Sequence, residues 1–396
     1  MTYQLFLTLG NIMLLIGMVA SAFLSSLLIL ARSIKQPSIQ FLTFFLLTIS
    51  FWLFGIIVKD VTLGLYYPIL NWLPFNFTLT LGPSVFFYVK SVCYPEWKSS
   101  KKDYLHYLPL IIHVTAQTFY IWEGYTDGVQ QPNLTNIYEI INPVVELLTT
   151  SSIIVYIALS LKEINLFQIE LNLHFSNAGK YKLDWLIKDL RAFAVMWVLW
   201  VPFTLYDYLL NNYELPATHY YTVYFLIAAT AIWMGIETLL RPALTVDLPP
   251  QPNYEKQPDK EQPNAIPLPE LVEKSEWLNR EITRGQQYLN PELTLRMLAV
   301  ELDIHHNTLT RIINQGAGKN FSDYINEYRI NEVKRKAMNS SYNHLTLEGI
   351  AYECGFNSKS TFIRSFKKLA GMPPAAYLKK LKESETGVKM HNASFG

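Results

Sequence analysis

Seven stretches of this chain are long and apolar enough to cross a lipid bilayer, and they commit its first 240 residues to membrane helices. They run over 4–31, 39–59, 69–91, 104–122, 137–161, 189–210 and 219–240. A bilayer-crossing helix needs about 20 mostly apolar residues. Pro74, Pro83, Asn142, Pro143 and Glu146 interrupt the third and fifth stretches. Proline is tolerated in membrane helices where neighbours satisfy the freed backbone groups. The N-terminus has no basic region ahead of the first stretch, so it does not read as a cleaved signal peptide.

Loop charge predicts the orientation. Arg32 and Lys35 follow the first span, Lys98, Lys101 and Lys102 the third, and Lys162, Lys180, Lys182, Lys188 and Arg191 the fifth; Arg241 follows the seventh. The intervening loops hold only Lys59 with Asp60, Glu123 with Asp127, and Glu214. The positive-inside rule then puts the N-terminus in the periplasm and everything after Arg241 in the cytoplasm of a multi-pass inner-membrane protein. The longest loop, 162–188, has two readings: an interfacial amphipathic stretch leading into the sixth span, or a docking surface for the cytoplasmic domain.

Beyond the spans the chemistry changes. Residues 242–269, PALTVDLPPQPNYEKQPDKEQPNAIPLP, are rich in Pro, Gln and charge without apolar periodicity, as in a spacer. The whole chain is only 16 % charged, against about 25 % in an average soluble domain. Its net charge of +1 conceals a basic C-terminal segment: residues 304–382 hold 13 Lys/Arg and 5 Asp/Glu. An excess of 8 positive charges on so short a stretch favours a polyanionic partner. The expected domains are a membrane sensor at 1–241, the spacer at 242–269, a DNA-binding domain at 270–382 and a disordered tail at 383–396.

The basic segment contains one unit twice. Leu295, Leu298, Ala299, Leu302 and Ile304 lead to Leu309 and Ile313; Leu347, Ile350, Ala351, Cys354 and Phe356 lead to Phe362 and Phe366. Each copy reads as a helix-turn-helix. A small residue (Ala299, Ala351) lets two helices cross, and a turn residue (Asp303, Gly355) stands four positions on. An apolar residue (Ile304, Phe356) then fills the corner. Glycine suits a positive φ; aspartate tolerates it less well. The second helix of each unit presents a polar stripe: His306, Asn307, Thr310 and Arg311 in the first copy, and Lys359, Ser360, Ile363 and Arg364, with Lys367 and Lys368 beyond, in the second. Arg and Lys pair with guanine edges, Asn with adenine, and methyl groups with the thymine methyl. NFSDYINEYRINEVKRKAM between the copies reads as one helix with Phe321, Tyr324, Ile325, Tyr328 and Val333 facing inward. Such a spacer would set the two reading helices about 34 Å apart, one turn of DNA.

With LTLRMLAVELDIHHNTLTRIIN, NFSDYINEYRI, IAYECGFNSKSTFIRSFKKLAG and PPAAYLKK in this order, residues 288–380 resemble the DNA-binding domain of the AraC/XylS transcription regulators. The resemblance implies seven helices, with two helix-turn-helix units entering successive major grooves of promoter DNA. His305 departs from it, standing where many members have Ser, a better N-cap. A smaller group of the family carries a polytopic membrane domain in place of a soluble sensor, and the architecture resembles that group. The expected fold is all-α: a polytopic seven-helix membrane domain followed by a seven-helix AraC-type domain.

Other residues have quieter readings. His305 and His306 lack a third ligand for a metal, Cys354 reads as a packed thiol, and Gly316-Ala317-Gly318 as a helix end. No cofactor or metal is expected. Ionisable residues in the spans are costly and mark candidate function. Glu146, Asp207, His113 and His219 are candidate sensing residues for a small-molecule or membrane signal, with Glu139 and Glu237 nearby in the same spans. The rival reading is a transporter or membrane enzyme with a DNA-binding appendage, but no internal repeat is visible in the spans, as many transporters would have. Binding of the basic domain to anionic lipid is disfavoured by the doubled unit. The sequence leaves open whether the chain works as a monomer or a homodimer.

Overall fold

A computed structural model describes residues 8–31, 36–67, 69–70, 73–126, 135–211, 215, 219–240 and 267–379. Most of the expected spacer, the tail from 383, the loop charges Arg32, Lys35, Asp127, Glu214 and Arg241, and the side chain of Glu139 lie outside them. The described chain is all-helical, with a single isolated β-bridge. It divides into two compact units, residues 1–165 with 183–249, and residues 166–182 with 250–396.

The first unit contains α1 (Leu9–Ala31), α2 (Pro37–Asp60), the single turn α3 (Leu63–Tyr66), α4 (Leu81–Cys93), α5 (Leu108–Thr126), most of α6 (Thr135–His174), α7 (Asp184–Asn211) and α8 (Tyr221–Leu240). Five segments are long and apolar enough to cross a membrane: Leu9–Leu30, Pro37–Asp60, Val144–His174, Asp184–Asn211 and Tyr221–Leu240. The other two expected spans correspond to α4 and α5. Thr78 donates from its N and Oγ to Asn76 Oδ1 at 3.2 and 2.7 Å, and this turn delays α4 until Leu81. Pro83 then falls in the first turn, where its missing N–H costs nothing. At 13 residues α4 is ~20 Å long, short of the ~30 Å hydrocarbon layer. α5 has the length, 19 residues, but carries His113, Gln117 and Glu123.

α2 packs against α1, α4 and α8, and α8 also receives α1 and α7. A layer of rings fills the centre, with Phe45 edge-on to Phe193 at 5.4 Å and Trp52 edge-on to Tyr224 at 5.1 Å. Hydrogen bonds such as Ser50 Oγ to Met18 O, 3.0 Å, cross between helices. The outside is equally apolar: Leu30 is 84 % exposed, Leu147 69 % and Trp233 60 %. In water, so much apolar exterior would be an aggregation surface; facing acyl chains it is the natural exterior of a membrane bundle.

α6 runs on to His174, 13 residues past the expected end of the fifth span at 161. Ile164, Phe167 and Leu171 continue its buried stripe at spacings of three and four. α7 likewise begins at Asp184 rather than at 189.

The second unit adds α9 (Leu268–Gly285), α10 (Leu295–Glu301), α11 (His306–Arg311), α12 (Phe321–Ala337), α13 (Leu347–Glu353) and α14 (Lys359–Ala370), with a closing helical turn at 374–379. The repeat is visible in its hydrogen bonds. Thr294 Oγ accepts from Met297 N at 3.1 Å to cap α10, and Thr346 Oγ accepts from Gly349 N at 3.1 Å to cap α13. Both corners turn through the left-handed region, Asp303 at φ 52° and Gly355 at φ 89°. Ala299 and Ala351 are buried at the crossings. Leu298, Leu309 and Ile313 join Leu278 and Ile282 of α9 in one core; Ile350, Phe356, Phe362 and Phe366 join Ile330 and Val333 in the other. Leu289 packs against both.

A Cβ on Gly355 would fall 2.6 Å from Tyr288 O and 2.8 Å from Leu289 O, on top of its positive φ. Gly355→Ala in the full chain should therefore destabilise the second unit by about 1–3 kcal/mol. Hydrogen exchange of the α13 and α14 amides measures this; protection equal to the parent would contradict the packing described.

Candidate nucleic-acid interface

The two reading helices are set up by different caps. In the second copy Ser358 Oγ accepts from Thr361 N at 3.2 Å. In the first, His305 occupies that place, and its Nδ1 accepts from Asn307 N at 3.3 Å. The imidazole thus does the work of the missing serine. The residue by which the second turn is longer is Asn357, which donates to Pro291 O at 3.3 Å and Glu292 Oε1 at 2.8 Å.

On α11, Asn307 is exposed, while His306, Thr310 and Arg311 are half-buried. Thr310 Oγ donates back to His306 O at 2.9 Å, so its methyl group is the end left for an apolar contact. Burial first, then the neighbouring His305 and Arg296, push His306 below the ordinary imidazole range. It is therefore a neutral donor and acceptor at pH 7. On α14, Lys359, Ser360, Ile363, Arg364 and Lys367 are all exposed. Lys359 pairs with Glu348 at 2.7 Å and Lys368 with Asp323 at 2.6 Å. Such exposed pairs contribute little to stability, and a phosphate can replace the carboxylate. Arg311 and Arg364 stand at equivalent points of the two copies, 53 positions apart. α12, 17 residues long and buried along Phe321, Tyr324, Ile325 and Val333 as expected, joins the copies.

One residue escapes a reading by apolar pattern. Arg329, in the middle of α12, is fully buried. Its Nε donates to Tyr288 O at 2.7 Å, and its Nη2 to Asn290 O at 2.8 Å and Ser176 Oγ at 3.0 Å. The guanidinium also lies 5.8 Å from the centre of the Phe356 ring. Burial pushes its pKa down to about 9. In the sequence it is one more Arg on a basic helix, and only its register among buried positions marks it out. Burial also raises the Cys354 thiol to about 12, which keeps it protonated and inert at neutral pH.

The candidate sensing residues fall into two sets. Asp207, on α7, is buried and accepts from Leu215 N at 3.1 Å and from the Tyr220 hydroxyl. Tyr220 stacks on Tyr224 at 5.9 Å and meets Trp200 at 5.3 Å. Glu146 on α6 is half-buried and within electrostatic range of both Lys59 and Tyr224. Glu146 and Asp207 thus converge on the surroundings of Tyr224. His113 is half-buried on α5, and His219 is exposed just ahead of α8. A second polar knot went unanticipated: Asn11 Nδ2 donates to Tyr221 Oη at 2.8 Å and to Asp60, and Tyr221 Oη donates to Asp60. Asn11 and Tyr221 are buried, but nothing in the sequence links positions so far apart.

Residues 298–380 match a protein family described as a helix-turn-helix domain. Over 86 residues the chain is 34 % identical to the uncharacterized HTH-type transcriptional regulator YtdP of Bacillus subtilis (strain 168). That stretch is 22 % of this chain and 11 % of the Bacillus protein, so the similarity concerns one domain of each. No solved structure matches the chain significantly. The doubled caps, corners and reading helices, with these matches, make the C-terminal domain an AraC-type helix-turn-helix domain.

Proposed function

We propose that the chain is a one-component, membrane-bound transcription regulator: a signal received by the membrane domain alters sequence-specific binding of promoter DNA by the two helix-turn-helix units. The observation that carries this reading is the duplicated unit itself, with Arg311 and Arg364 at matching positions on helices joined by α12. His306, Asn307 and Thr310 on α11, and Lys359, Ser360 and Ile363 on α14, complete the two base-reading stripes, with Lys367 aimed at phosphate. In this reading the chain needs no catalytic centre and no cofactor. It acts by binding, as a monomer or a homodimer.

A bidentate Arg–guanine contact is worth about 1–3 kcal/mol. Arg311→Ala and Arg364→Ala should each weaken binding of full-length protein to its promoter fragments by about 5- to 150-fold. The double variant should lose chromatin enrichment. Lys367→Ala should instead weaken all duplexes alike and flatten the salt dependence by about one phosphate contact. Enrichment unchanged in the double variant would end this reading.

The loop-charge alternation supports seven crossings of the inner membrane, N-terminus periplasmic and C-terminal domain cytoplasmic. Five crossings without α4 and α5 give the same sidedness, because both numbers are odd. Reporter fusions after residue 240 should therefore be active only as cytoplasmic reporters. A periplasmic signal there would overturn the orientation.

Glu146 and Asp207, around Tyr224, form the proposed receiving site; His113 and His219 are further candidates for contact with the signal. Charge at this depth is costly unless it has a use. Glu146→Gln should change the induced transcriptional response while leaving membrane insertion and DNA affinity intact. A response identical to the parent's would remove Glu146 from the site.

A further inference from the structure

Residues 166–182, the last turns of α6 and most of its connection to α7, belong to the C-terminal compact unit, although the rest of α6 and all of α7 belong to the other. Their attachment is specific. Phe175 forms an antiparallel bridge with Thr294, the N-cap of α10, and Ser176 N donates to Leu293 O at 3.2 Å. Ser176 is fully buried. Its hydroxyl donates to the same carbonyl at 2.6 Å and accepts from Arg329 Nη2 at 3.0 Å, and its own carbonyl accepts from Ser322 Oγ at 3.2 Å. One serine therefore completes the coordination of the buried Arg329 and ties together the approach to α10 and the start of α12.

The segment then reaches the second reading helix. A Cβ on Gly179 would lie 2.1 Å from Thr361 Oγ1 and 3.2 Å from Arg364 Nη2. Thr361, in the first turn of α14, is only 3 % exposed. At the other end, His174 is within electrostatic range of His306 on α11. Helix-turn-helix proteins enter the major groove with the N-terminal residues of the reading helix. The segment thus flanks the start of α14 beside Arg364, leaving the reading side chains exposed, so a duplex closing on α14 would meet this backbone.

We propose that residues 174–181 are a self-inhibitory clasp. Seated on Arg329 and α14, the segment withholds the second reading helix from DNA; released, it allows both helices to engage. The clasp rests on the DNA-binding reading given above. Because its ends continue directly into α6 and toward α7, a signal acting on those helices has a covalent route to it. By linkage, DNA must loosen the clasp as much as the clasp weakens DNA binding.

The bridge offers the test. Cα atoms of an antiparallel pair lie about 4.5–5.5 Å apart, within disulfide reach. Phe175→Cys with Thr294→Cys in the full-length protein, where Cys93 and Cys354 are buried, should oxidise to a locked clasp. The probe is a fluorescent random-sequence duplex pool of about 40 bp at low salt, long enough for two successive grooves. The oxidised protein should bind at least about 10-fold more weakly than the same sample reduced, within the usual range of coupling between sites. Ser176→Ala, which removes two of the hydrogen bonds that seat the segment and lies at no proposed DNA contact, should bind about 10-fold more tightly than the parent. Failure of the disulfide to form, or equal or tighter binding when locked, overturns the clasp. Equal binding by all forms overturns the clasp alone, whereas binding by none overturns the DNA-binding reading with it.

Discussion

The C-terminal unit depends on one buried cation. Arg329 donates to the backbone carbonyls of Tyr288 and Asn290, to the hydroxyl of Ser176 and to Asn326 Oδ1, with Glu292 within electrostatic range. A guanidinium removed from water is costly unless its donors are met, so the positions of these groups are strongly specified. Those outside α12 belong to the approach to the first helix-turn-helix and to the 166–182 segment. The Phe356 ring, at the corner of the second unit, packs near the same group, as does the backbone of Gly355. With Leu289, which packs against both cores, Arg329 thus ties together the two helix-turn-helix units.

The repeat made most of this unit legible. Apolar positions 52 and 53 residues apart, small residues at the crossings, and a turn residue at each corner are local features with local causes. Asp303 and Gly355 both adopt positive φ as their positions implied. What escaped was non-local. Arg329 is distinguished by what surrounds it, not by what is beside it in sequence. The cap at His305 looked weak because serine is the usual cap; an imidazole nitrogen accepting from Asn307 N serves in its place.

The first unit is legible in outline, because the length and hydropathy of its apolar helices are local properties of the sequence. Its details depended on packing. By hydropathy the fifth apolar stretch ends at 161, where Lys162 and Glu163 begin a more polar sequence. The stripe of Ile164, Phe167 and Leu171 continues beneath those charges and carries α6 to His174. Hydropathy alone carries the third stretch through Pro74 and Asn76, whereas the Asn76 turn holds helix formation back to Leu81. Of the two readings of the 162–188 loop, docking on the C-terminal domain agrees with the bonds made by Phe175 and Ser176.

Hydrogen bonding is a suitable latch for such a segment. Apolar contacts weaken gradually as surfaces slide, whereas hydrogen bonds fail steeply once angle and distance leave a narrow range. Four of them meet at Ser176, two residues beyond the end of the 40-residue helix α6. A small shift or rotation of that helix would break several together and leave Arg329 short of an acceptor. The buried cation then makes the half-released state costly, so that seated and released become two discrete states rather than a continuum. Under the proposed clasp no long-range strain has to be transmitted: displacing one serine would be enough to change the availability of the second reading helix.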